Sequence, residues 1–138
     1  MKLLCIIGVS LGLALLAGCD PVAQPPQPTV YGKWLSDQQQ SVLQLNEDGT
    51  FLISRRSETP DEMRGKFTLG DDDQRIVMTA ADDSSHCPQV MGTYVYDLEG
   101  KRLFFTKVID DCTWRENELI YPWIRLGGSS GSDPSADN

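Results

Sequence analysis

The chain has 138 residues, of which 40% are hydrophobic and 23% charged, and a formal net charge of −8. That balance is globular, and its acidity argues against nucleic-acid binding and against a polybasic contact with anionic lipid. One histidine and four cysteines leave little material for a histidine-dependent hydrolase or a multi-ligand metal centre.

In chain order, Lys2 precedes an uncharged apolar run over residues 3–18. The run is short and weakly flanked for a membrane-spanning helix, which needs about 20 apolar residues. It closes on Leu16-Ala17-Gly18-Cys19. Small residues at 17 and 18 let a peptidase approach the backbone, and the Cys19 thiol accepts a lipid. The segment therefore reads as the lipobox of a bacterial lipoprotein, with a signal peptide over residues 1–18 and Cys19 as the acylated mature N-terminus; an uncleaved anchor is the alternative. The expected location is the bacterial cell envelope, and Asp20 favours the periplasmic face of the inner membrane over the outer membrane. Cleavage would remove Lys2 and no acid, leaving a mature charge of −9. Such a surface suits a cationic partner, although solubility alone also accounts for it.

Residues 19–29 continue as a proline-rich spacer, DPVAQPPQPT after Cys19, expected to be extended at about 3 Å per residue. Residues 127–138, GGSSGSDPSADN, read as a disordered tail. All aromatic residues fall from Tyr31 to Trp123, so one folded domain is expected over residues 30–126. Inside it the hydrophobic period is two. Tyr31 to Leu35 supplies the first strand. Val42, Leu43 and Leu45 stop at Asn46-Glu47-Asp48-Gly49, and Phe51, Leu52 and Ile53 resume. Phe67 and Leu69 run into Gly70-Asp71-Asp72-Asp73 before Ile76-Val77-Met78. Tyr94-Val95-Tyr96 meets Asp97-Leu98-Glu99-Gly100, and Leu103-Phe104-Phe105 follows. Trp123 to Leu126 closes the count, with Pro122 tolerated at the strand start. The expectation is all-β: a small antiparallel up-and-down barrel of about eight strands, closed so as to hide its edges.

With Cys5 in the leader and Cys19 acylated, Cys87 and Cys112 remain, and an exported pair favours a disulfide. Closing the 25 positions between them would contribute roughly 3–3.5 kcal/mol in the chain-entropy account. A zinc site using both thiols and His86 is the competing idea, but it lacks a fourth ligand at sensible spacing. His86, in Ser84-Ser85-His86-Cys87-Pro88, reads as a solvated loop residue. Asp71-Asp72-Asp73, Asp82-Asp83 and Asp110-Asp111 read as turn formers and solubility charges, because strand neighbours point to opposite faces. No catalytic residues, metal or cofactor are assigned, and an enzyme is not expected. The disulfide would pin the loop after Cys87 against Asp111-Cys112-Thr113-Trp114-Arg115. Trp114 and Arg115 there are residue types common at contact hot spots, with packing over the barrel end as the alternative.

Gly32-Lys33-Trp34 resembles the Gly-x-Trp signature that opens lipocalin and wider calycin barrels. The resemblance implies that Trp34 plugs one barrel end and that Arg125, in Trp123-Ile124-Arg125-Leu126, packs across its ring. Asn46-Glu47-Asp48-Gly49-Thr50-Phe51, Gly92-Thr93-Tyr94 and Asp110-x-Cys112-x-x-Arg115 are similar to segments of small bacterial lipocalin-like domains. The family's Thr-Asp-Tyr segment is missing, and the domain is shorter than a full lipocalin. The implied function is to bind a small apolar or lipid ligand in the barrel mouth, lined by inward members of Phe51/Ile53 and Tyr94/Tyr96. A weaker resemblance, through Met91-Gly92-Thr93-Tyr94 and Phe104-Phe105-Thr106-Lys107, is to membrane-bound inhibitors of C-type lysozyme. It implies an envelope protein-interaction module directed at a cationic hydrolase. A Cys19→Ser precursor should remain unprocessed and take up no labelled palmitate; label entering that variant would overturn the lipobox reading.

Overall fold

The computed structural model describes residues 29–127, apart from 37, 60, 72 and 73. The segments read as leader, lipobox and spacer, up to residue 28, and as tail, from 128, lie outside the described residues. Eight strands follow one another: β1 (Gly32–Ser36), β2 (Ser41–Leu45), β3 (Thr50–Arg55), β4 (Asp61–Leu69), β5 (Arg75–Ala80), β6 (Met91–Glu99), β7 (Arg102–Asp110) and β8 (Trp123–Arg125). Each pairs antiparallel with its sequence neighbours, and β8 pairs back onto β1, so the sheet closes into a barrel. The meander and the strand count match the period-two reading.

One element corrects that reading. Helix α1 (Thr113–Leu119) stands between β7 and β8, where residues 111–115 were expected to form a loop. Its buried residues are Arg115, Glu118 and Leu119. That is helical spacing, but two of the three are charged, so no apolar 3.6-residue period marks the segment.

Alternation along β2, β3 and β5 fills much of the barrel. On β2, Ser41, Leu43 and Leu45 point in; on β3, Phe51 and Ile53; on β5, Ile76, Met78 and Ala80. Register aligns these into rungs, of which Trp34–Leu43–Ile53–Met63 crosses four strands with every member fully buried. Each such side chain contributes about 1.5–3 kcal/mol on burial. The β2–β3 turn uses the residues its sequence suggested. Asn46 and Thr50 close it through Asn46 N donating to Thr50 O at 2.9 Å, and the Asp48 carboxylate accepts from the Thr50 amide and hydroxyl.

Because strand direction alternates, the two barrel ends differ. At one end the chain enters β1 and leaves β8; the β2–β3, β4–β5 and β6–β7 turns share this terminal end. The opposite end carries the β5–β6 loop and α1, which lie over it as a lid.

Trp34 governs the terminal end. Its indole Nε1 donates to Val30 O at 2.9 Å, folding the incoming chain across the barrel. The Arg125 guanidinium lies 4.1 Å from the Trp34 ring centroid and donates to the carbonyls of Tyr31 and Thr29. Gly32 explains the first letter of Gly-x-Trp: its φ is +127°, and a Cβ there would come within 3.0 Å of Arg125 Nη1. The motif is thus a steric and electrostatic unit: glycine makes room, arginine fills it, and tryptophan is the platform. Arg125→Ala should lose the ring contact and both carbonyl bonds, costing about 2 kcal/mol and lowering Tm by about 10 °C in thermal unfolding followed by circular dichroism. Arg125→Lys should recover only part, since an ammonium cannot reproduce the planar fork.

Candidate functional site

At the lid end, polar groups are built into the barrel rather than scattered on its surface. Asp110, the last residue of β7, accepts from Arg115 Nε at 2.6 Å and Nη2 at 2.7 Å, from the Cys112 amide at 2.8 Å, and from the Tyr94 hydroxyl. Burial alone would raise the Asp110 carboxyl, but these donors outweigh it and hold the group below its ordinary 3.8. Burial, and then the hydrogen bond to Asp110, push the Tyr94 phenol up. A second cluster lies beside the first. Glu118 from α1 is fully buried and accepts from Ser41 at 2.5 Å and from Arg55. Arg55 also reaches Asp61 at 3.3 Å, and Asp61 pairs with His86. His86 stacks on Trp114 with ring centroids 4.2 Å apart and planes 10° apart. Arg55 lies 5.5 Å from the same indole.

Several expectations change here. Arg115 is wholly buried, so it is an internal partner of Asp110 and not a surface contact. This is the alternative of packing over the barrel end, and it is possible because five planar donors can be satisfied indoors when a carboxylate meets them bidentately. Asp110 is likewise a buried acceptor and not a turn-forming surface charge. His86 is not a solvated loop residue: it is half-buried between Asp61 and Trp114. Trp114 is half-buried, with part of its ring surface covered by His86. Cys87 and Cys112 are joined in a disulfide, the pairing expected from the sequence.

The interior itself is filled. Phe51, Ile53 and Tyr94, expected as cavity lining, are 2%, 0% and 1% exposed and pack into the core. Two concavities lie elsewhere. At the terminal end a cleft of about 380 Å³ is ringed by Val30, Tyr31, Leu69, Tyr96 and Leu98, with Thr29 and Gln74 at its polar edge. On the outer face of β2–β5 a shallower groove of about 830 Å³ runs over Leu52, with Gln44, Arg64, Lys66, Asp82 and Asp83 among its walls. Of the ligand-lining residues expected from sequence, Phe51 borders the outer groove and Tyr96 reaches the terminal cleft; Val30, Tyr31, Leu69 and Leu98 join Tyr96 there. Only Tyr31, beside Gly-x-Trp, had a sequence signal; the others converge through barrel closure.

Searches against family models, curated proteins and solved structures find no match to this chain.

The buried Asp110–Arg115 pair carries a pH signature. The folded carboxyl titrates below 3.8, whereas the unfolded one titrates near the ordinary value. Its stabilisation is therefore complete above about pH 5 and is lost as pH falls through about 4 toward the folded value. Asp110→Asn should cost about 3 kcal/mol at neutral pH, because Arg115 is left buried without its counter-charge, and should flatten the stability loss below pH 4. Urea unfolding at several pH values measures both; an unchanged acid limb would show that the loss comes from other carboxylates.

Proposed function

We propose that this chain is a lipid-anchored bacterial envelope protein of lipocalin-like type that takes a small apolar or lipid ligand at the terminal end of its barrel. The single observation that supports it is the cleft of about 380 Å³ ringed by five apolar side chains. Its size falls in the range of small-molecule sites, and four of the five, Tyr31, Leu69, Tyr96 and Leu98, keep partly exposed surface that a ligand would cover. The reading moves the ligand from the lumen, which side chains occupy, to the mouth beside Trp34. An anchor on Cys19 would enter the domain at this end, which keeps the cleft within reach of the bilayer. No catalytic step is required.

A protein-interaction module is the second reading, and the outer groove of about 830 Å³ favours it. Asp82 and Asp83 at its wall, with a net-acidic chain behind them, would suit a cationic hydrolase such as lysozyme.

Both are testable with the mature-length chain carrying Cys19→Ser. A fluorescent fatty acid should bind with a Kd in the micromolar range. Leu98→Asp, which sets a charge in the cleft, should weaken it at least tenfold with Tm little changed. Absence of probe binding, together with inhibition of lysozyme-driven cell-wall lysis that Asp82→Lys abolishes, would transfer the assignment to the second reading.

A further inference from the structure

The disulfide at the lid end joins two unequal sulfurs. Cys112, at the start of α1, is fully buried. Cys87 is half-buried in a loop whose neighbours Ser85, Pro88 and Gln89 are exposed. The backbone around Cys87 is also held in costly conformations. Cys87 has φ +46° and Gln89 φ +64°, in the left-handed region that L side chains rarely adopt, with Pro88 between them. Such residues persist only where their surroundings hold them. Besides the disulfide, the restraints are His86 against Asp61 and Trp114, Arg115 Nη1 donating to Val90 O at 3.2 Å, Val90 N donating to Cys87 O at 3.0 Å, and the ends of the loop held to β5 through Ala80, which accepts from Gln89 N at 3.1 Å and donates to Val90 O at 3.2 Å. No strand ladder includes residues 84–90. The strand pairings and the bonds between Asp110 and Arg115 use no residue of this segment.

We propose that Cys87–Cys112 is an exchangeable bond, opened at Cys87 Sγ by a dithiol protein of the Cys-x-x-Cys class, and that opening releases residues 84–90 from Trp114. The attacking thiolate would form a mixed disulfide with Cys87 as Cys112 Sγ leaves and takes a proton. The second thiol of the dithiol then attacks the mixed disulfide, frees Cys87 as a thiol and leaves the partner oxidised. Two electrons and two protons pass to the pair. The strained turn then relaxes, His86 leaves the indole, and Trp114 with Arg55 and Asp61 becomes an open surface at the end of the barrel opposite the start of β1 and the end of β8. The reaction chemistry is independent of the ligand reading; an envelope location for the dithiol follows from the lipobox reading.

The mature-length chain with Cys19→Ser retains these two cysteines alone, and Trp34 and Trp123 are fully buried, so acrylamide quenching reports Trp114. A thioredoxin-like dithiol whose resolving cysteine is changed to serine should be trapped on Cys87 over Cys112 by at least tenfold, read by peptide mass. Reduction with the intact dithiol should at least double Trp114 quenching while the cooperative thermal transition persists. His86→Ala in the oxidised chain should reproduce the rise, and Trp114→Phe should remove it. Capture on Cys112, no capture without denaturant, unchanged quenching, or loss of the barrel on reduction would each overturn the proposal.

Discussion

Four donors converge on one carboxylate, and the lid end depends on that convergence. Asp110 closes β7, Arg115 comes from α1, Tyr94 from β6, and the Cys112 amide from the junction between β7 and the helix. Arg115 then reaches on to Val90 in the β5–β6 loop. A single buried ion pair therefore specifies where the helix lies, how the loop crosses the barrel and where the two cysteines meet. Gly92 belongs to the same arrangement, since a Cβ there would overlap the Asp110 carboxylate and crowd Arg115. Buried pairs of this kind contribute less to net stability than hydrophobic replacements can. Their value lies in geometry, because the observed placement of the helix satisfies both charges at once.

The two barrel ends are closed by different physics. The terminal end uses one aromatic platform and a guanidinium laid across it, both tied to backbone carbonyls of the chain entering β1. The lid end uses carboxylates matched to arginines, a histidine on an indole, and a covalent bond. Each solution leaves a different residue. Around Trp34 the polar groups are few and the leftover space is an apolar cleft. Under α1, space is taken up by side chains such as Glu118 and Arg115 that are fully buried yet charged.

Period two was legible because the barrel wall is amphipathic in the simplest way, inward and outward by turns, as the alternating burial of β2, β3 and β5 records. The cysteine pairing was legible by elimination, and Trp34 with Arg125 through a short signature whose glycine has a steric cause. The helix was not, because its inward face is written in Arg115 and Glu118 with a single leucine, Leu119. Hydrophobic patterning is blind to a buried face that is satisfied by charge. The same blindness left Arg115 open between a surface contact and packing over the barrel end, and read Asp110 and His86 as solvated residues. The cleft, too, escapes a linear reading: Val30, Leu69 and Leu98 carry no shared motif and meet only once the sheet has curled.

Seven of the eight strand pairings join neighbours in sequence; the seam between β1 and β8 alone spans the domain, and it holds only two residue pairs, Trp34 with Arg125 and Leu35 with Ile124. Local hairpins pay little loop-closure entropy and form early, whereas this seam cannot form until the last strand is present. A chain emerging N-terminus first would hold an open, curling sheet with β1 as a bare edge until β8 arrives. Trp34 and Arg125 are thus the latch of a late closing step, and the time for which that edge stands open sets the window in which nascent chains can pair with one another instead of with themselves.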